Sequence, residues 1–268
     1  MFDTHLHTTF SCDSRMDHRQ ALSAAQKLGI GIIITEHLDL DYPENPEEFV
    51  FDFNEYFATL NPLRKESELL LGLELGLRAE CAEKNKEIIK GWPFDEIIGS
   101  IHVVDGIDIY SPAYTLNNEK KAVYGRYLAV MADCVRDFDD FDTLGHVDYI
   151  CRYAAYSDRN LYIDDFYAEW SAVCAELLKK EKVLEINTRR FDDKTAVACL
   201  FALYRRYREL GGKYVTIGSD AHCAENVGRG IAAAWEMAES IGLRPVYYKN
   251  RKMFFDRKEQ GGALRRTK

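Results

Sequence analysis

Seven times along this chain a short apolar run gives way to a stretch of helical periodicity, and that alternation constrains the fold more than any other feature. The runs are Met1 to Leu6, Ile30 to Thr35, Leu69 to Leu75, Ile97 to Ile101, Thr143 to Gly145, Val183 to Asn187 and Tyr214 to Ser219. Ile30-Gly31-Ile32-Ile33-Ile34-Thr35 carries no polar alternation, as expected of a strand buried on both faces of a parallel sheet. Between the runs, helices are expected over about 18–28, 79–90, 118–137, 164–180, 193–210 and 224–241, with a further helical face at Phe53, Tyr56, Phe57 and Leu60 before Pro62. Asp17 is placed to cap the first helix and Gly29 to stop it, and Asp164 or Asp165 to cap the one at 164–180. The segment Val246 to Phe255 reads as a closing hairpin. Strands and helices in this order predict an α/β chain, a parallel barrel inside a ring of helices.

With 268 residues, 47% of them hydrophobic, the chain suffices for one large core, so 1–268 is expected to be a single domain. A formal net charge of −9 argues against a nucleic-acid partner, because phosphate backbones are gripped by a basic excess. The basic tip at 265–268 reads as a solvated tail. The cysteines, odd in number at 7, form no Cys-x-x-Cys pair, and no secretory signal opens the chain, so reduced thiols and a cytoplasmic location are expected. Cys12 and Cys223 neighbour candidate ligands, though a packing role suits them better than thiolate ligation. No run approaches the ~20 apolar residues of a membrane span.

Of the 7 histidines, only His18 falls inside a helical pattern. His5, His7, His37, His102, His146 and His222 all follow or end a strand, where a parallel barrel carries its functional face. His5 and His7, two apart on an extended strand, point the same way, and Asp13 can return a carboxylate towards them. Glu74, alone in a run of leucines, is costly to bury unless paired or bound to metal. Asp220 stands beside His222, and Arg152, Arg189 and Arg190 follow later strands. Imidazoles and carboxylates converging in this way are ligands for zinc, manganese or iron.

The motifs His5-Leu6-His7, Thr35-Glu36-His37, Leu73-Glu74-Leu75, Ser100-Ile101-His102, Gly145-His146-Val147-Asp148 and Ser219-Asp220-Ala221-His222 together resemble the polymerase-and-histidinol-phosphatase (PHP) superfamily. Length and the Tyr-Tyr-Lys-Asn-Arg hairpin look most like its histidinol-phosphatase branch. One departure is Glu36, where the family usually has aspartate. The resemblance implies a distorted (β/α)7, TIM-like barrel with three divalent metal ions. By it, His5, His7, Glu74 and Asp220 hold the first, Glu74 bridges to a second with His102 and His146, and Asp13, His37 and His222 hold the third. Glu74 as the bridge, and Asp220 with His222 as neighbours able to pass a proton to the leaving alkoxide, are the candidate catalytic residues; the proton donor itself stays open.

Three divalent cations facing three carboxylates and a bridging hydroxide leave a centre of about +2, which a phosphate monoester dianion balances and a neutral amide does not. The arginines could add charge-assisted contacts to that phosphate, with Arg189 and Arg190 not expected to serve together. Phosphomonoester hydrolysis is therefore the expected chemistry. L-Histidinol phosphate, a step of histidine biosynthesis, is the substrate the resemblance implies. Its cationic amine would suit an acidic rim from the Asp39–Glu48 loop, Asp105 and Asp108. The loop from Val103 to Asn117, with Tyr110, Pro112 and Tyr114, suits one wall of the cleft. A PHP-type enzyme acting on phosphotyrosine or a nucleotide is the near alternative. A metal-dependent amidohydrolase ranks lower, since it leaves Asp13 and His222 without a role.

Overall fold

The computed structural model describes residues 1–257, so the basic tip at 265–268 lies outside the described residues. Its strands are β1 (Phe2–Leu6), β2 (Gly31–Leu38), β3 (Leu69–Gly76), β4 (Glu96–Ser100), β5 (Val103–Val104), β6 (Ile107–Asp108), β7 (Thr143–Leu144), β8 (Val183–Asn187), β9 (Tyr214–Gly218), β10 (Arg244–Lys249) and β11 (Lys252–Phe255). The main sheet runs β1-β2-β3-β4-β7-β8-β9-β10-β11. Within this sheet the pairings along β1-β2-β3-β4-β7-β8-β9-β10 are all parallel, and β10 with β11 is antiparallel.

Seven of these strands close on themselves through a narrow seam between β9 and β1. There the Asp220 N–H donates to the His5 carbonyl at 2.7 Å and the His7 N–H to the Ala221 carbonyl at 2.9 Å. The expected α/β barrel is thus observed. Strands β2, β3, β4 and β8 are buried along their whole length, consistent with their unbroken apolar runs.

The expected hairpin is β10–β11, and it has a further task. β10 pairs with the beginning of β9, at Tyr214 and Val215. The hairpin turn donates from Arg251 to the carbonyl of Asp95, just ahead of β4, and Phe2 stacks on Tyr247 at 4.2 Å. All these contacts lie at the strands' N-terminal ends, so the hairpin covers that end and leaves the opposite one for the site.

The first helix, His18–Leu28, has Asp17 in a full capping box with Gln20 and stops at Gly29 in the left-handed region. Three helix starts differ from expectation, the one expected from 79 being α-helical only from Ala82, behind a 3₁₀ turn at Ala79–Cys81. The helix expected from 164 begins only at Tyr167, behind a 3₁₀ turn at Ile163–Asp165, because Phe166 turns into the core and neither aspartate caps it. The last helix, expected from 224, is Ile231–Ile241. The residues ahead of it are spent on tertiary bonds: the Gly228 N–H donates to buried Asp3 at 2.8 Å and the Arg229 carbonyl accepts from Thr188 at 2.6 Å. Gly228 and Gly230 take positive φ to make that path. The loop from Val103 to Asn117 contains the small hairpin β5–β6 and a 3₁₀ turn at Pro112–Tyr114. Among the described residues no helix is long and apolar enough to cross a membrane.

Candidate metal centre

At the C-terminal end of the barrel the nine side chains singled out above converge. β1 carries His5 and directs His7, β2 carries His37, and β3 carries Glu74. His102, His146 and Asp220 follow β4, β7 and β9. Glu74 lies at the middle, fully buried, and its two oxygens face different groups. Oε2 is 3.2 Å from His5 Nε2 and 3.3 Å from His7 Nε2. Oε1 is 2.6 Å from His146 Nε2 and 3.3 Å from His102 Nε2. Asp220 Oδ1 joins the first group, 3.5 Å from His7 Nε2 and 3.9 Å from His5 Nε2. A third group stands at the mouth, where Asp13 Oδ2 is 3.0 Å from His222 Nε2 and 3.5 Å from His37 Nε2.

The turn after β9 depends on an unusual backbone. Asp220 has φ 54, in the left-handed region that non-glycine residues seldom adopt. Its N–H is bonded to His5, and its carbonyl accepts from Arg189 at 2.8 Å and from His222 Nδ1 at 3.0 Å. The turn aims the carboxylate inward and fixes the His222 tautomer, leaving Nε2 to face Asp13.

Carboxylates behind the ligands do the same elsewhere. Asp39 accepts from His102 Nδ1 at 3.0 Å, and Glu185 from His5 Nδ1 at 2.7 Å. Glu36 accepts from Thr8 N–H and from Ser11 at 2.5 Å, while Ser11 Oγ accepts from the His37 N–H at 3.0 Å. Ser100 donates to Glu74 Oε1 at 2.7 Å.

The electrostatics match this arrangement. Burial alone would raise Glu74, yet His5, His37, His102 and His146 hold it well below the usual carboxylate range. Asp220 is held down in the same way, against its burial, by Arg152 and His5, and Asp13 by hydrogen bonds from His222 and His37. His102 is pushed up to about 10, burial opposing and Asp39 and Glu74 prevailing. The centre therefore presents ionised carboxylates beside imidazoles turned inward. Glu74 Oε2 and His37 Nδ1 are both buried and lie 3.0 Å apart, yet neither makes a well-aligned hydrogen bond. Orphaned polar atoms in so dense a cluster fit a cation in their midst. His5 with His7 and Glu74, and Glu74 with His102 and His146, are each close enough to share one ion. The donor set therefore fits divalent metal ions.

A cavity of about 600 Å³ opens onto this centre. Arg152 and Arg189 line it; Arg190 does not, since it bonds Asp148 at 3.0 Å and Asn160 at 2.7 Å. Arg152 sits on a one-turn helix, Ile150–Tyr153, and donates to Asp220 at 2.6 Å and to Asn187 at 2.9 Å. The acidic rim is partly as expected, with Glu44, Glu48 and Asp108 lining the cavity. Asp39, expected in the exposed loop, is buried as the partner of His102. Asp105 faces elsewhere, paired with Arg126 at 2.5 Å. Tyr110 lines the cavity and packs against Tyr153 at 4.4 Å, while Tyr114 is buried outside it. Cys12 and Cys223 are unpaired and belong to none of the converging donor groups.

Asp39, Glu185, Ser100 and Asn187 were not anticipated. Glu185 carried a readable signal, the same lone carboxylate in a buried strand that singles out Glu74.

Comparisons with known proteins place the chain in a family. The PHP domain model matches residues 3–189. The "Probable histidinol-phosphatase" of Clostridium acetobutylicum is 43% identical over 253 residues, covering 94% of this chain and 98% of its own. The "Histidinol-phosphatase" of Lactococcus lactis subsp. lactis is 32% identical over 254 residues, covering 91% and 92%. A crystal structure of histidinol phosphate phosphatase from that organism, complexed with zinc, L-histidinol and phosphate, matches with a TM-score of 0.90 at 30% identity, over 94% of this chain and 98% of that one. Both curated relatives extend past β9, so the likeness includes the turn that carries Asp220 and His222. The chain belongs to the PHP domain family, in its histidinol-phosphatase branch.

Proposed function

We propose that the chain is a metal-dependent phosphomonoesterase that hydrolyses L-histidinol phosphate to L-histidinol and phosphate, as one catalytic domain. The observation that carries this reading is Glu74, a buried carboxylate whose two oxygens serve two separate sets of imidazoles. His5, His7, Glu74 and Asp220 would hold one ion, Glu74, His102 and His146 a second, and Asp13, His37 and His222 a third. Zinc is supported by the Lactococcus structure, and manganese and iron suit the same mixed ligands. Bound there, such ions supply Lewis-acid charge to the phosphoryl oxygens and lower the pKa of water.

The remaining work falls to the chain itself. Arg152 and Arg189 face the cavity and are placed to take phosphate oxygens by charge-assisted hydrogen bonds. Glu44, Glu48 and Asp108 give the wall an anionic face for the substrate's amine. Tyr42, Phe49, Tyr110 and Tyr149 offer ring faces to its imidazole and narrow the water-filled space. Such a reaction belongs to histidine biosynthesis, for which a cytoplasmic location is suitable.

Phosphate release by the metal-replete enzyme tests the substrate. A kcat/KM for histidinol phosphate at least about a hundredfold above that for phosphotyrosine and p-nitrophenyl phosphate, roughly 2.7 kcal/mol of discrimination, is expected. Equal rates on all three would leave a phosphatase without this substrate.

The arginines divide by position. Arg189→Ala is expected to raise KM for histidinol phosphate about tenfold with a smaller change in kcat. Arg190→Ala is expected to leave KM unchanged and to destabilise the fold by about 1–3 kcal/mol, because Asp148 and Asn160 lose a buried partner. Steady-state kinetics and thermal unfolding of both variants check the assignment.

A further inference from the structure

Glu185 is buried, charged and central, yet it belongs to none of the converging donor groups. It lies in the middle of β8, and all its side-chain bonds run towards the ligands. Oε1 takes the Nδ1–H of His5 at 2.7 Å. Oε2 takes the backbone N–H of His146 at 2.7 Å and the side-chain amide of Asn187 at 3.1 Å. Asn187 in turn reaches Asp220 at 3.4 Å and accepts from Arg152. Among the described residues no lysine or arginine pairs with Glu185, and its ion-pair partner is His5. A buried anion with so little compensation is costly, and its charge is balanced only through the imidazole it holds.

A second observation comes from the neighbouring strand. A Cβ at Gly218 would lie 2.4 Å from Glu185 Oε1 and 2.3 Å from the His5 Cβ. The bare backbone of β9 therefore leaves the room in which the Glu185–His5 contact is made. Any side chain there would push the two apart.

We propose that Glu185 is a positioning residue: it locks His5 with its proton on Nδ1, and holds the turn that presents His146, so that one carboxylate aligns donors on both sides of Glu74. His5 faces Glu74 Oε2 and His146 faces Oε1, so the two groups that share Glu74 also share Glu185. A carboxylate accepting from the far nitrogen of a ligating imidazole fixes its tautomer and raises its basicity, and losing one lowers metal affinity about 10- to 100-fold. The inference rests on the metal-dependent reading above.

The test uses the full-length zinc-loaded enzyme and the variant Glu185→Gln, which keeps the shape and removes the charge. Zinc retained against a competing chelator is expected to fall about 10- to 100-fold in affinity. The kcat should fall while KM changes less than about twofold, since Glu185 does not line the cavity. On the wild type, a long-range ¹⁵N–¹H correlation should show His5 protonated at Nδ1 and bare at Nε2. That readout decides the matter even if Glu185→Gln fails to fold. Wild-type zinc affinity in a folded Glu185→Gln, or His5 protonated at Nε2, overturns the positioning role and leaves the metal reading intact. A wild-type enzyme that binds no zinc overturns both.

Discussion

Glu74→Gln is expected to lower kcat by about a thousandfold or more while the metal-free protein keeps its fold. The two oxygens of Glu74 lie within 3.3 Å of five imidazole nitrogens, three around Oε2 and two around Oε1, so no other residue can replace it as the shared ligand. Glutamine removes the charge and turns one of the two acceptors into a donor, which faces imidazole nitrogens that should face a cation. Both inner metal positions are damaged by one substitution, and the loss should exceed that of any ligand serving one group. The barrel should survive, because glutamine fills the same volume and the apolar runs of β2 and β3 flank it. Circular dichroism checks the fold, and metal-induced stabilisation against heat should shrink along with activity.

Arg152→Ala should produce the second large loss, in two separable parts. The Arg152–Asp220 pair is nearly buried, with side-chain exposures of 7% and 4%. Removing one partner of a buried pair costs about 3–5 kcal/mol, because the other charge is stranded. That loss should be greatest in the metal-free protein, where Asp220 has only imidazoles left to compensate it. The second part is functional. Arg152 also lines the cavity, so KM for histidinol phosphate should rise about tenfold or more and kcat should fall with it as Asp220 loses its orientation. Arg152→Lys is the informative companion, because an ammonium cannot reach both Asp220 and Asn187 as the guanidinium fork does. Chemical denaturation with and without zinc, together with steady-state kinetics, separates the two parts.

The contrast between Glu74 and Glu185 shows how far the sequence could be read. Both are lone carboxylates in apolar strands, and burial cost marks each as functional. Glu74 was legible because it sits near the end of its run, where a barrel carries its chemistry. Glu185 sits one level deeper in the barrel, where only the registry of β7, β8 and β9 reveals that it meets His5 and His146. Asp39, expected at the acidic rim, does line the cavity but is buried. It opens a stretch rich in proline and carboxylates whose average character is exposed, and it alone of that stretch turns in beneath His102.

Long-range bonds also set the boundaries that local pattern missed. The helix expected from 224 waits until Ile231, because Gly228 and Arg229 bond to Asp3 and Thr188 and two glycines break the stretch ahead of it. The three arginines could not be ranked from spacing. Arg190 follows Arg189 directly, and only the course of the chain after β8 turns one towards the cavity and the other towards Asp148. The seven barrel strands, by contrast, were legible, since each buried run specifies a strand and each intervening helix a parallel crossover, whereas the pairing of β10 with β9 and the β5–β6 hairpin were not.

The most direct test of the account is the number and position of metal ions in the protein and in Asp13→Ala. Asp13 stands at the mouth with 39% of its side chain exposed, apart from the fully buried His5, His7 and Glu74. Elemental analysis should therefore find close to three ions per wild-type chain and close to two in Asp13→Ala. Anomalous diffraction should place the missing one between His37 and His222. Wild-type protein with fewer than three ions, or an Asp13→Ala variant that retains all of them, would contradict the trinuclear centre.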